Sequence, residues 1–319
     1  MMEKSYFRTT MKNDNAEFYL IYNPKSGGSN SALNREKVFA ELTANGVSFD
    51  IHDTDDTDTF GKTAAAIAEG HRRFIVVGGD GTMNQAVNAI FKQTAVPTTD
   101  ITLCLIPFGT GNDWIRTVGI PSDYREAAKI PVHGKPFIQD VGRVTYQGKN
   151  GTEVHYFANI AGFGYDAYVN RNTNESAAKS NIGKFSYLYT LFKCLLSYRH
   201  TQAKITVDDT TVDTVLYSGN VGKCNYNGNG MMQVPHAKPD DGLLAVTLIK
   251  GISKLGITLE TPNLYNGTFV KNKHVQILKG KTVRVESVPP VELECDGESL
   301  GFSPFTFDLL PLGLKILVP

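Results

Sequence analysis

The sequence predicts two domains of different class, an α/β domain with a mainly parallel sheet followed by an all-β sandwich domain. Three observations carry this. Strand and helix signals alternate through the first third of the chain, the order that builds a parallel sheet with helices on both faces. From about Lys135, short β-branched segments punctuated by Gly, Asn, Asp and Pro take over, as in antiparallel sandwiches and barrels. Glycine loops also recur just beyond the strands of the first part, the edge at which open α/β sheets take ligands. With 319 residues the chain has the length of roughly two domains.

Taken in order, residues 17–22 (EFYLIY) are the first strand and 23–28 (NPKSGG) the loop after it. In 33–44 (LNREKVFAELTA), Val38 and Leu42 share one helical face. A second strand covers 47–52 (VSFDIH) and a second helix 63–69 (TAAAIAE). Phe74, Ile75, Val76 and Val77 run without alternation, as a strand buried on both faces does. Gly78-Gly79-Asp80-Gly81-Thr82 comes next, then Met83, Ala86, Val87 and Ile90 at helical spacing. Residues 101–106 (ITLCLI) are a further strand, followed by 107–113 (PFGTGND). The domain boundary is expected at 132/133. In the second domain the main helical stretch is 183–200 (GKFSYLYTLFKCLLSYRH), with Phe185, Leu188, Tyr189, Phe192, Leu195 and Leu196 on one stripe. Packing against its own domain and contact with a lipid surface are its two readings.

Composition excludes several classes. Lys plus Arg equals Asp plus Glu, so no net charge argues for nucleic acid or strong adsorption to an anionic surface. The four cysteines are far apart and read as free thiols of a reducing cytosol. The first residues lack the apolar core of a signal peptide, and no apolar run spans a bilayer, so a cytoplasmic protein is expected. His71, His133, His155, His200 and His274 have no metal-ligand spacing, and Asp53, Asp55, Asp56 and Asp58 read as a solvated loop.

The three glycine loops offer backbone N–H groups suited to phosphate oxygens, with hydroxyl donors from Ser26, Thr82 and Thr110. None fits a P-loop or the dinucleotide-binding glycine pattern. A carboxylate inside such a loop, Asp80, repels phosphate unless a cation lies between them, which points to Mg²⁺. Asp113 either joins that network or caps the helix that starts near Trp114.

NPKSGG, VVGGDGTMNQAVNAI, IPFGTGNDWIR, GNVGKCNYNGNGMMQVPHAKPDDGLL and CDGESL, in this order and spacing, resemble the soluble bacterial diacylglycerol kinase family, whose catalytic domain is shared with sphingosine and ceramide kinases. The resemblance implies an NAD kinase-like α/β nucleotide-binding domain (1–132 and about 303–319) and a β-sandwich (133–302), with the active site in the cleft. It implies that Asn23, Pro24, Lys25, Ser26, Gly27 and Gly28 hold ATP together with Gly78, Gly79, Asp80, Gly81, Thr82 and Asn84. Thr110, Gly111, Asn112 and, after the second strand, Thr57 join them. Near Thr57 the chain departs from the pattern, with Gly61-Lys62-Thr63 where the family often shows Gly-Asp-Ala. Asp80 and Asp113 would organise Mg²⁺ and phosphates.

Asp296-Gly297 reads on sequence alone as a hairpin turn. The resemblance implies instead that Asp296, with Glu298 as partner or substitute, is the base that deprotonates the acceptor hydroxyl. Likewise 238–243 (KPDDGL) reads as a plain hairpin, whereas the resemblance implies a structural Mg²⁺ held by Asp241, with carbonyls of Lys238 and Leu243. The expected activity is that of a Mg²⁺- and ATP-dependent lipid kinase acting on diacylglycerol. Phosphatidylglycerol, a sphingoid base, NAD or a sugar phosphate are the other acceptors, and a non-catalytic nucleotide or lipid sensor is the rival from another class. The expected partners are ATP, a lipid met transiently at the inner face of the membrane, no nucleic acid, and a second copy in a homodimer.

Overall fold

The structure, a computed structural model, describes residues 17–24, 31–51, 57–109, 111–149, 151–177 and 193–319. Its contacts divide the chain into two compact units, one of Met1–Ile115, Gly119–Phe137 and Leu314–Pro319, the other of Arg116–Val118 and Ile138–Gly313. The division falls at 137/138 instead of 132/133. Residues just past the expected boundary still pack on the first unit: a Cβ on Gly134 would come within 2.8 Å of the Val318 carbonyl oxygen.

In the first unit, β1 (Phe18–Tyr22), β2 (Phe49–Ile51), β3 (Arg73–Gly78) and β4 (Thr102–Pro107) are joined by the end of the last strand, β14 (Glu298–Val318). Every pair is parallel, in the order β2-β1-β3-β4-β14. All five residues of β1 are buried, as are Phe74 to Gly78 of β3, so these strands lack alternation because both faces are covered. The connecting helices are α1 (Ser31–Ala44), α2 (Thr59–Ala68) and α3 (Asp80–Lys92). Met83, Ala86, Val87 and Ile90 of α3 are buried, as their spacing predicts. Helix α2 begins at Thr59, earlier than 63, because Asp58 Oδ1 accepts the Gly61 N–H at 2.8 Å. Such a cap is worth about 1 kcal/mol. Short helices α4 (Asp113–Val118), α5 (Tyr124–Ala127) and α6 (Ile130–His133) follow β4.

The second unit holds β5 (Lys135–Gly148), β6 (Gly151–Phe157), β7 (Ile160–Gly164), β8 (Thr201–Val207), β9 (Thr210–Gly222), β10 (Leu244–Lys250), β11 (Val275–Gly280), β12 (Val283–Val288) and β13 (Glu292–Cys295). These strands pair antiparallel, and β14 contributes its first part. Strand β9 pairs β8 through Leu216 and β7 from Ser218 on. Strand β14 pairs β13 up to Phe302 and β12 at Phe305–Phe307. Because both long strands change partners, the circuit β7-β9-β8-β12-β14-β13 closes on itself, which removes exposed edges. Inside it Phe157, Phe163, Phe305 and Phe307 meet edge to face, with centroids 5.9 Å apart for Phe157–Phe307 and 5.6 Å for Phe163–Phe305. The last strand joins the first unit only at Leu314, later than the expected 303, because its earlier residues belong to this circuit.

Two helices interrupt these strands where no helix was expected: α7 (Tyr165–Ala177) and α8 (Lys254–Leu264). Helix α8 carries Gly256, Thr258, Thr261 and Pro262, so its intrinsic propensity is poor. It is started by Ser253, whose Oγ accepts the Gly256 N–H at 3.1 Å. Of the expected helix 183–200, residues 183–192 lie outside the described residues. No helix among the described residues is long and apolar enough to cross a membrane.

Candidate functional site

In the first unit, β3 delivers the chain directly into α3. Gly79 is the N-cap, and no side chain caps the helix. The first N–H groups of a helix have no partner within it and carry its positive dipole end. Gly81 lies there in ordinary helical conformation, exposed, and a Cβ on it would meet nothing within 4 Å. Neither turn geometry nor packing requires glycine at 81, and the space beside it is open.

The second and third loops touch through their backbones. A Cβ on Gly109 would fall 2.5 Å from the Gly79 Cα, so neither residue can carry a side chain as the loops stand. Asn112, in left-handed backbone at φ 48°, closes its own loop: its Nδ2 donates to the Gly109 carbonyl at 2.9 Å and its Oδ1 accepts the Gly109 N–H at 3.1 Å. The first loop is tied in by Asn23, whose Nδ2 donates to Thr82 Oγ1 at 3.0 Å.

Asp80 reaches the third loop. Its Oδ2 accepts the Asp113 N–H at 3.0 Å and its Oδ1 the Trp114 N–H at 3.1 Å. It caps α4 from another loop. Asp113 is buried as the first residue of α4, and the N-cap is Asn112, so Asp113 does not cap the helix. Asn84 lies inside α3, where its Oδ1 accepts Asn88 Nδ2 at 3.1 Å. Thr57 is half-buried before α2, and the nearby Lys62 is buried with its Nζ donating to the Tyr22 carbonyl at 3.1 Å. Lys25, Ser26, Gly27, Gly28 and Thr110 lie outside the described residues, as do Asp53, Asp55 and Asp56.

The second unit contains a cavity of about 470 Å³, within the range of about 300–1,000 Å³ usual for small-molecule sites. Ile249, Ile252, Ile257, Leu264 and Phe269 give it an apolar wall. Its polar lining includes Asp166 at the start of α7, Asn220 on β9, Asn227 and Glu294 on β13. Asn220 Nδ2 donates to Asp166 Oδ2 at 2.8 Å. Glu294 Oε2 accepts the Gly297 N–H at 2.9 Å. Burial pushes the Glu294 carboxyl up to about 8, aided by the negative charge of Asp166 and Asp296 and opposed by the Gly297 N–H. Burial also raises Asp166, against the hydrogen bonds from Asn220 and Ser218. Asn220 Oδ1 and Gln233 Oε1 are buried, line this cavity and accept nothing from the described residues. The lining therefore offers buried acceptors without a donor, beside the Tyr217 hydroxyl, which is also buried without a partner among the described residues.

Asp296 and Gly297 form the two-residue turn between β13 and β14, with φ 47° and 89°, the pair of positive values that a type I′ hairpin needs. The carboxylate is also anchored: Oδ1 accepts the Ile160 N–H at 2.9 Å and Oδ2 the Ala158 N–H at 3.2 Å. Glu298 is half-buried across the turn.

The expected structural metal position holds a lysine. Lys223 Nζ donates to Asp241 Oδ1 at 3.0 Å and to the Leu243 carbonyl at 2.7 Å. Burial raises the Asp241 carboxyl, but the Lys279 and Lys223 ammonium groups outweigh this and hold it below the usual carboxylate range. Lys238 is exposed. The donor set does not fit a cation there, because an ammonium fills it. Among the described residues no cluster of three His, Cys, Asp or Glu side chains is arranged to hold a metal.

Sequence reasoning missed Asp166, Glu294 and Lys223. Glu294 left a trace: it follows the run Val291-Glu292-Leu293 in a strand where Leu293, Glu294 and Cys295 are all buried, and an acid in a strand covered on both faces needs a reason.

Residues 17–144 match the diacylglycerol kinase catalytic domain, and residues 159–318 the YegS C-terminal NAD kinase beta sandwich-like domain. The chain is 30% identical over 302 residues to a protein of Mycobacterium tuberculosis named diacylglycerol kinase, covering 94% of each. It is 27% identical to one of that name from Staphylococcus saprophyticus, again over 94% of each chain. A crystal structure described as a diacylglycerol kinase of Bacillus anthracis str. Sterne shares the fold, at a TM-score of 0.69 and 23% identity, over 95% of this chain and 96% of that one. A second structure from the same organism reaches a TM-score of 0.74 at 26% identity, over 95% and 97%.

Proposed function

The chain belongs to the diacylglycerol kinase family and is a lipid kinase, and on that premise we propose that it transfers the γ-phosphate of ATP to the hydroxyl of diacylglycerol, giving phosphatidic acid. The observation that carries the choice of acceptor class is the cavity. Its wall is aliphatic and its polar lining has acceptors that lack donors, which suits an apolar molecule ending in a hydroxyl.

ATP is read onto the glycine loops. The N-terminus of α3, with the open space at Gly81 and the hydroxyl of Thr82, receives phosphate oxygens, and Asn23 and Asn112 keep the adjoining loops in place. Mg²⁺ brought by the nucleotide would neutralise phosphate charge. The Asp80 carboxylate is not assigned to it, since that group serves Asp113 and Trp114.

The acceptor hydroxyl is placed by the polar lining of the cavity. Asp296 takes its proton in this reading, held in one orientation by the Ala158 and Ile160 amides. Glu294, neutral at pH 7 because its carboxyl titrates at about 8, spares the cavity a second buried negative charge and offers a proton for hydrogen bonding to the acceptor. General-base help contributes about 10²–10⁴-fold, so Asp296→Ala leaves slow turnover.

Helix α8 supplies the route for the lipid. One side of it, Ile257 and Leu264, lines the cavity. Another shows Leu255 and Leu259 to solvent, 70% and 69% exposed, and Leu196 is exposed beside Lys254, whose ammonium contacts its carbonyl. Lys254, exposed beside Leu255, adds positive charge to this apolar patch. The occupant is an anionic lipid bilayer: the patch continues from the cavity wall, and its cation complements lipid phosphates.

Transfer of labelled phosphate from γ-labelled ATP to a panel of lipids in mixed micelles tests this, with and without Mg²⁺ and beside Asp296→Ala. Label in phosphatidic acid, formed about 10²–10⁴-fold more slowly with the substitution, is expected. Label only in a different lipid would replace the acceptor, and no label in any lipid from protein that binds ATP would remove the proposal.

A further inference from the structure

Lys223 directly follows β9 and is wholly buried. Its ammonium donates to Asp140 Oδ2 at 2.8 Å, Asp241 Oδ1 at 3.0 Å and the Leu243 carbonyl at 2.7 Å. An ammonium has three donors, and all three are used. The Asp241 carboxylate and Leu243 carbonyl are the groups that would have held a structural Mg²⁺, so the lysine does more than lie near the expected metal position. It takes the position's ligands.

The surroundings complete the closure. Asp241 Oδ2 accepts Lys279 Nζ at 2.6 Å. Asp140 accepts the Gly242 N–H through Oδ2 and the Leu312 N–H through Oδ1, each at 2.8 Å. The cluster holds two carboxylates and two ammonium groups and is balanced as it stands. A divalent ion beside the Lys223 ammonium would meet strong repulsion in a site with little water to screen it.

We propose that Lys223 is a built-in cation that replaces the structural divalent metal of this fold, fastening β5, the turn before β10 and the far end of β14 through Asp140, Asp241 and Leu243. This β-rich unit therefore needs no metal for its stability, and Mg²⁺ serves only with the nucleotide. The inference does not depend on which acceptor is phosphorylated, or on activity at all.

Thermal unfolding of the full chain without nucleotide tests it. The wild-type melting temperature is expected to be the same in EDTA and in millimolar Mg²⁺ or Ca²⁺. Lys223→Ala leaves the buried Asp140 and the half-buried Asp241 carboxylates short of a cation and a hole between them, so it should melt roughly 10 °C lower in EDTA and recover several degrees with Mg²⁺ or Ca²⁺. Lys223→Met removes the charge but fills the hole, so it should melt low and stay low with either ion. A wild-type melting temperature that climbs with Mg²⁺, and no longer does so in Asp241→Asn, would overturn the proposal. A Lys223→Met protein as stable as wild type would do the same. The wild-type arm stands even if both Lys223 variants fail to fold.

Discussion

Asp80 and Asp113 are joined by a hydrogen bond of 3.0 Å from the Asp113 N–H to the Asp80 carboxylate, whose other oxygen accepts from Trp114 at 3.1 Å. One side chain thereby holds two glycine loops in a fixed relation. Asp80→Ala strips α4 of its cap, and a loss of about 1–2 kcal/mol is expected. Asp80→Asn keeps one acceptor and falls between. Chemical denaturation of the three proteins checks the order; an alanine variant as stable as wild type would show that the contact holds nothing.

Gly81→Ala should separate folding from ligand binding. The new methyl meets no protein atom within 4 Å, and alanine is the better helix former by about 1 kcal/mol. Stability is expected to hold or rise, while the KM for ATP rises about tenfold or more because the methyl occupies the space read as the phosphate's. Unchanged KM would move the nucleotide elsewhere.

Glu294 makes stability depend on pH in a direction opposite to most carboxylates. Its folded pKa, about 8, lies above the ordinary glutamate value of 4.5. The folded state therefore holds a proton that the unfolded chain has released throughout this window. Its contribution is fully present below about pH 4.5 and is lost as pH rises through 8. Glu294→Gln cannot ionise, so the variant is expected to match wild type near pH 5 and exceed it near pH 9. Melting curves that stay parallel across that range would contradict the buried, proton-holding state.

Leu255→Glu with Leu259→Glu alters only exposed positions of α8. The change in stability should be within about 0.5 kcal/mol. Co-flotation with phosphatidylglycerol-containing vesicles should fall several-fold and phosphorylation of long-chain lipid with it. Flotation equal to wild type would deny α8 its place at the bilayer.

The first unit was readable because its signals are local. An apolar run such as FIVV followed by GGDGT and a 3.6-residue period specifies strand, loop and helix within one short window. Long-range partners were not readable. Asp80 caps a helix 33 residues away, and nothing in GGDGT announces that its carboxylate will be used for amides. Lys223 is bound to groups in two other elements, and a lysine in a β segment reads as a surface residue until those partners surround it. Asp296 offered both readings, and the structure displays the hairpin directly while its chemical role stays a proposal. Helix α8 was invisible because Thr, Gly and Pro blur its period, and tertiary contacts with the cavity supply what propensity does not.

The route of β14 has a consequence for synthesis of the chain. Residues 314–318 add the parallel partner of β4, yet they follow every residue of the closed antiparallel circuit. A ribosome emits 138–313 before the first unit can finish its sheet, so until then the outer edge of β4 lacks this partner and is open to strangers. The nascent chain is thus exposed to mispairing for as long as its middle takes to be made, and translation speed through that middle sets how long.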